Sequence, residues 1–194
     1  MLERMIELDV FAFHWLREVT RSTWGDAFFP WLTDLDHFRI PILVGWLLLM
    51  IFGGLRGRKA GLLLAVTLIL TDQISASLLK EMVGRVRPCF ALDGVNPLIS
   101  QSHSFSFPSS HAANSVGGAA ILALVLGRWW WSGLLLAGAI SFSRVYVGVH
   151  YPLDLIGGAL IGMGLALLLY ATGGPIATRV AGWRWRRRSS RDPD

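Results

Sequence analysis

Apolar residues in this chain fall in long runs separated by short charged breaks, with no strict two-residue alternation. No charge interrupts 40–55, 112–127, 129–143 or 155–178, and 60–79 carries only Asp72. A helix rises ~1.5 Å per residue and the hydrocarbon layer is ~30 Å thick, so roughly 20 residues cross it. On that ruler the runs predict spans over 38–55, 60–80, 111–127, 129–148 and 154–173, the third requiring a tilted neighbour or a thin bilayer. Many glycines among helix formers, without alternation, speak against a transmembrane β-barrel. The pattern therefore predicts an all-α, polytopic transmembrane helical bundle with five clear spans.

Residues 1–37 read differently. Met5, Ile6, Val10, Phe11, Phe13, Trp15 and Leu16 are mixed with Glu3, Arg4, Glu7, Asp9, Arg17 and Glu18. That mixture predicts an amphipathic interfacial helix, followed by a second near 23–35, with a sixth, poorly apolar span as the alternative. Acidic residues occupy the places where a cleaved signal peptide carries basic and apolar regions. The chain thus divides into an N-terminal interfacial segment (1–37), a transmembrane domain (38–178) and a basic tail (179–194).

Composition agrees with lipid: 53% of the residues are hydrophobic and only 16% charged, bunched rather than dispersed. With five spans, Arg56, Arg58, Lys59, Arg128 and the tail arginines fall on one side, which the positive-inside rule makes cytoplasmic. The tail, Trp183-Arg-Trp-Arg-Arg-Arg-Ser-Ser-Arg191, then reads as an anchor against anionic headgroups, and nucleic acid is not expected as a partner. Cys89 is the only cysteine, which excludes an intrachain disulfide and leaves a Cys/His metal site unsupported. The loop over 88–110 carries turn signals at Asp93-Gly94 and Asn96-Pro97; its Leu92, Val95, Leu98, Ile99, Phe105 and Phe107 could rest on the membrane, and the loop could cap the site or guide substrate in. Gly158 and Gly162 form a small-x3-small pair expected to pack within the bundle rather than at a dimer seam, so a monomer is favoured.

Three polar blocks sit at span ends that this topology places together on the outer face: Lys80-Glu-Met-Val-Gly-Arg-Val-Arg87-Pro88, Pro108-Ser109-Ser110-His111, and Ser143-Arg144-Val-Tyr-Val-Gly-Val-His150-Tyr-Pro-Leu-Asp154. Phosphoryl transfer needs cations and N–H donors around the phosphoryl oxygens, a nucleophile and an acid for the leaving oxygen. Lys80 and Arg87 share a face if one helix carries both and ends at Pro88; either alone could equally snorkel to headgroups. Ser109 and Ser110 put hydroxyls and N–H groups at a helix start, where an anion is favoured, although an ordinary Ser-rich cap looks the same. His111 is placed to act as general acid, or as a polar residue at the interface. Arg144 offers a forked cation. Pro152 starts a helix, so His150 lies just before it and Asp154 in its first turn, where the carboxylate can accept one imidazole N–H and leave the other nitrogen free to attack. Arg85, outside this pattern, is expected to be a surface charge, and Asp72 receives no role.

Together the blocks resemble the Lys-x6-Arg-Pro, Pro-Ser-Gly-His and Ser-Arg-x5-His-x3-Asp motifs of the type 2 phosphatidic acid phosphatase (PAP2) superfamily, with Ser110 in place of the usual Gly. The resemblance covers Lys80 to Asp154. It implies a lipid phosphate phosphatase with phosphate bound by Lys80, Arg87, Ser109, Ser110 and Arg144, a covalent phosphohistidine on His150, His111 as acid, and neither metal nor organic cofactor. In a bacterial inner membrane with the site facing the periplasm, undecaprenyl diphosphate is the first expected substrate. Phosphatidylglycerophosphate, phosphatidic acid and lipid A 1-phosphate are the alternatives. The same blocks occur in vanadium haloperoxidases, which are soluble, and a non-enzymatic scaffold is the third reading.

Overall fold

The computed structural model describes the backbone of residues 2–189 and the side chains of 3–75 and 77–173. The side chains of the basic tail, and residues 190–194 entirely, lie outside the described residues, as therefore does the expected headgroup anchor.

Helix and loop account for every described residue. Helices α1 (Leu2–Thr20) and α2 (Thr23–Thr33) precede α3 (Arg39–Phe52) and α4 (Gly54–Asp72). The chain continues from α4 through a π-helical segment, Gln73–Leu79, into one turn of α5 (Lys80–Val83), and α6 (Pro88–Ala91) follows. Then come α7 (Ser110–Leu126), α8 (Gly133–Tyr146) and the long α9 (Pro152–Ser189). Two stretches, Gly54–Ala91 and Pro152–Gly173, each contain a helical window long and apolar enough to cross a membrane, and only 18% and 17% of those windows is buried. Helices this apolar, facing outward with Leu62, Ile69, Leu160 and Leu168 exposed, are suited to lipid and costly in water. Arg39–Phe52 and Ser110–Leu126 are apolar but shorter.

Helix α7 is the central strut, packed against α4, α8 and α9. Its buried face is almost all small, Ala112, Ala113, Gly117, Gly118 and Ala120, with Ile121 filling the space beside Ala166, Leu63 and Met163. Small residues matter here because lipid supplies no hydrophobic drive between helices, so close backbone approach has to bring them together. A Cβ on Gly158 would collide with the Ser109 carbonyl, and one on Gly162 with the Ala113 carbonyl. The small-x3-small pair is thus spent on contact within the chain, as its spacing implied. Polar groups in this layer are satisfied locally: the Thr67 hydroxyl donates to Leu63 O at 2.7 Å and Thr71 to Thr67 O at 2.8 Å.

Helix α1 is two-faced. Phe13 is fully buried against Val95, Val145 and Tyr151, while Leu8, Phe11, Trp15 and Val19 form an exposed apolar stripe. Helix α2 is capped by Ser22, whose hydroxyl accepts from Gly25 N at 3.1 Å, and it lies under the Tyr146 ring. The Tyr146 hydroxyl accepts from Ser22 N at 3.2 Å and donates to Asp26 Oδ1 at 2.9 Å.

One open reading closes and one expectation is corrected. The loop over 88–110 folds onto protein: Val95 and Leu92 join the Phe13 cluster, Leu98 and Ile99 pack on Tyr146, Val147 and Val149, and Leu98 N donates to Val147 O at 3.0 Å. An apolar loop at a membrane surface has two apolar surfaces to choose from, and here the end of α8 and the turn that follows it take it. Second, Pro88 does not end the helix carrying Lys80. Gly84, at φ 62°, ends it with a left-handed cap whose N–H donates to Lys80 O at 2.9 Å, and Pro88 begins α6.

The tight α7–α9 contact makes a direct prediction. Gly158→Val and Gly162→Val should each destabilise the bundle by at least about 2 kcal/mol, whereas Gly164→Val, which meets nothing within 4 Å, should be near neutral. Thermal melts of the three variants in one detergent check the ranking.

Candidate active site

After the Gly84 turn, residues 85–87 run extended, held by Ser106 N donating to Arg85 O at 2.7 Å. This aims Arg87 inward, 3% exposed. Its guanidinium donates from Nε to Ser104 O (2.8 Å), from Nη2 to Ser104 Oγ (2.9 Å) and from Nη1 to Val149 O (3.2 Å). Lys80 and Arg87 therefore do not share a helix face; the turn between them brings both to one place, and the charges of Arg87, Arg144 and Asp154 all act on Lys80. Asp72, exposed at the end of α4, acts on Lys80 as well.

Ser109 is the N-cap of α7, its hydroxyl accepting from Ala112 N at 3.4 Å, and Ser110 is the first helical residue. Ser109 N donates to Asp154 O at 3.0 Å, which ties the second block to the third. Ser110 replaces the family's Gly without strain, since no non-glycine residue among those described has positive φ. Its hydroxyl is buried and has no partner within the protein. His111 follows, half-buried, in electrostatic contact with Arg144, His150 and Lys80.

Arg144 closes α8, 5% exposed, with Nη1 donating to Thr33 Oγ1 (2.7 Å), Nη2 to Gln101 Oε1 (3.3 Å) and Nε unpaired. The chain then turns at Gly148 (φ 87°), and the Arg144 carbonyl accepts from both Val149 N and His150 N. A cavity of about 660 Å³ opens on Arg144 and His111, walled by Trp31, Thr33, Asp34, Asp36, His37 and Gln101. That size suits a ligand headgroup.

His150 is 2% exposed and lies between Arg87 and Asp154. Arg87 Nη1 stands 3.1 Å from His150 Nε2, and an arginine can only donate, so Nε2 carries the lone pair and Nδ1 the proton. Nδ1 faces Asp154 Oδ2 at 3.4 Å, and the same oxygen accepts Tyr151 N at 2.8 Å, the reciprocal half of a capping box at the start of α9. Burial, reinforced by the Arg87, Arg144 and Lys80 cations, holds the His150 imidazole well below its usual pKa, so the ring is neutral at pH 7. A neutral imidazole with a fixed tautomer is suited to attack phosphorus, and the Arg87 guanidinium beside Nε2 is placed to take a phosphoryl oxygen.

Sequence reasoning placed Arg85 at the surface; the structure does not. Arg85 Nη1 donates to Asp154 Oδ1 at 2.8 Å and Nη2 to Asp9 Oδ2 at 2.6 Å, while its Cζ lies 3.9 Å from the Tyr151 ring centroid. Asp9, Thr33, Gln101 and Ser104 were also missed. The one available cue was Gly84, which breaks the helical pattern just before Arg85. Among the described residues no group of three or more His, Cys, Asp or Glu side chains is arranged to hold a metal ion.

A bundle with phosphate-suited cations around a carboxylate-oriented histidine at its helix ends is the arrangement of a membrane PAP2 protein. The sequence model of the PAP2 superfamily matches residues 60–175, more than half the chain, and the chain belongs to that superfamily. It is 35% identical over 134 residues to an undecaprenyl-diphosphatase of Sulfolobus acidocaldarius, covering 69% of this chain and 62% of that one. It is 38% identical over 106 residues to a lipid A 4'-phosphatase of Bacteroides thetaiotaomicron, covering 51% and 47%; the chain thus spans about half the length of that relative. Among solved structures it resembles a transmembrane PAP2-type phosphatidylglycerolphosphate phosphatase of Bacillus subtilis (TM-score 0.70, 26% identity, 89% of this chain and 88% of that one). The Aquifex aeolicus LpxE structure is similar too (TM-score 0.67, 28% identity, 83% and 93%).

The depressed pKa of His150 has a testable sign. The unfolded chain takes up this proton near pH 6.5, while the folded chain resists it, so folding stability is lost as pH falls below that value. Relative to His150→Gln, the wild type should become progressively less stable below about pH 6.5, read as the difference in denaturant midpoints across a pH series.

Proposed function

We propose that this chain is a membrane lipid phosphatase that hydrolyses terminal phosphate through a phosphohistidine on His150. The observation that carries this reading is the His150 ring: buried, neutral, and presenting Nε2 to a guanidinium. Lys80, Arg87, Arg144 and the N–H groups at the start of α7 hold the phosphoryl oxygens. Nε2 attacks phosphorus as the bond to the lipid oxygen breaks, and His111 gives that oxygen its proton. Asp154 holds the Nδ1 proton and offsets the charge that develops on the ring. Water then attacks phosphorus as the P–N bond breaks and its electron pair returns to Nε2, His111 takes the water's proton, and inorganic phosphate leaves with His150 restored.

Undecaprenyl diphosphate is the substrate we favour. A diphosphate meets three cations, and the relative from Sulfolobus acidocaldarius carries that activity in its name. The cavity wall favours a second reading, since Asp34, Asp36 and Gln101 would hydrogen-bond a hydroxylated leaving group and repel further phosphate. Lipid A 1-phosphate or phosphatidylglycerophosphate fits that description better than phosphatidic acid. The setting is a bacterial inner membrane, with the exposed stripe of α1 lying on the outer leaflet, the site facing the periplasm and the basic tail in the cytoplasm.

Inorganic phosphate released from a panel of these lipids in detergent, with EDTA present, should be fastest for undecaprenyl diphosphate and inhibited by vanadate. His150→Ala should lower turnover by at least about 10³-fold. Activity that vanished in EDTA and returned with a divalent ion would count against the mechanism. For orientation, in a Cys89→Ser background, a membrane-impermeant maleimide should label Gly94→Cys in spheroplasts but not Ser190→Cys. The reverse pattern would turn the site to the cytoplasmic leaflet.

A further inference from the structure

We infer that Asp9 and Arg85 are positioning residues for the nucleophile, with Arg85 fixing the Asp154 carboxylate that orients His150 and Asp9 of α1 fixing Arg85. The inference rests on the phosphohistidine reading of the same site. Arg85 bridges two carboxylates distant in sequence, reaching Asp154 Oδ1 at 2.8 Å through Nη1 and Asp9 Oδ2 at 2.6 Å through Nη2. The other Asp9 oxygen accepts Leu153 N at 2.9 Å, so Asp9 also caps the first turn of the helix that carries Asp154. The three side chains are enclosed: 20% exposed for Arg85, 1% for Asp9 and 0% for Asp154.

With Oδ1 held by Arg85 and Oδ2 held by Tyr151 N, the Asp154 carboxylate cannot rotate, and its remaining lone pair points at His150 Nδ1. Take away Arg85 and Oδ1 loses its donor, which frees the carboxylate to turn and leaves two buried negative groups without a shared cation. The Nδ1 contact, at 3.4 Å, is already long, so small rotations decide whether it forms. A lysine cannot replace the fork: it is one point charge for two carboxylates, and it lacks the planar face stacked on Tyr151. Neither Arg85 nor Asp9 lines the cavity, and the Arg85 guanidinium reaches the site through its bond to Asp154. This also gives α1 a function: its buried face completes the machinery that the three motif blocks leave unfinished.

A purely structural ion pair would move stability and leave the chemical step alone, so kinetics separate the two roles. Wild type, Arg85→Lys, Asp9→Asn, Asp154→Asn, the Arg85→Lys/Asp154→Asn double variant and His150→Ala are assayed for phosphate release from the panel lipid that wild type turns over fastest. Each variant is first checked by melting and gel filtration in detergent. Arg85→Lys should lower kcat by about 10- to 100-fold, the range typical when a ligand's supporting partner is removed, with KM changed by less than about twofold. Asp9→Asn should shift kcat in the same direction by less. The double variant should be no slower than Asp154→Asn alone, because Arg85 acts through that carboxylate. If Arg85→Lys fails to fold, Asp9→Asn with the matching Asp9→Asn/Asp154→Asn double variant carries the same test. A kcat within twofold of wild type, a loss confined to KM, or additive effects in the double variant would overturn the inference while a dead His150→Ala left the phosphohistidine reading intact. A His150→Ala variant with normal turnover would overturn both.

Discussion

The approach of α9 to α7 sets the distance between the start of α7 and His150, the proposed phosphate cradle and nucleophile. Gly158 and Gly162 let the two backbones touch, at the Ser109 and Ala113 carbonyls, and the Ser109 N–H is then within 3.0 Å of the Asp154 carbonyl. One helix begins with Ser110 and the other carries Asp154 in its first turn, so this single contact puts the start of α7 beside His150. The remaining elements refine that meeting. The Gly84 turn swings Arg87 in, the Gly148 turn folds His150 back under the Arg144 carbonyl, and α1 and α2 close over the result.

What such a meeting creates is a concentration of positive charge. Lys80, Arg87 and Arg144 act on one another and on His150, and Asp154 is shared with Arg85. The protein tolerates this by giving the guanidiniums carbonyl, hydroxyl and amide acceptors, Ser104, Val149, Thr33 and Gln101, that bond without neutralising. The consequence is twofold. An anionic phosphoryl group bound as proposed would relieve this repulsion between cations, and the same cations keep the imidazole unprotonated.

Much of this was legible in the chain. The apolar runs coincide with the helices α3, α4, α7, α8 and α9, and the Gly158/Gly162 spacing pointed correctly to contact within the bundle. The His-x3-Asp spacing with Pro152 between placed His150 before a helix and Asp154 in its first turn, because proline at a helix start fixes the register locally. What was not legible depended on distant partners. Arg85 looked like a surface charge since its two carboxylates, Asp9 and Asp154, lie on helices that meet only in three dimensions. The continuous-helix reading of Lys80 to Arg87 failed at Gly84, where one left-handed residue turns the chain. The surface met by Val95 and Leu98 stayed open between lipid and protein, because an apolar loop residue shows its hydrophobicity but not which apolar surface receives it.

The central claim is that phosphate passes through the His150 ring. Rapid quenching of a single turnover into alkali, where phosphohistidine survives, followed by mass spectrometry of the peptide containing His150, tests it most directly. The account predicts phosphate on His150 that appears before inorganic phosphate, decays as it accumulates and is missing from the His150→Ala enzyme. Phosphate on another residue, or transfer to water in one step with inversion at phosphorus and no labelled peptide, would contradict it.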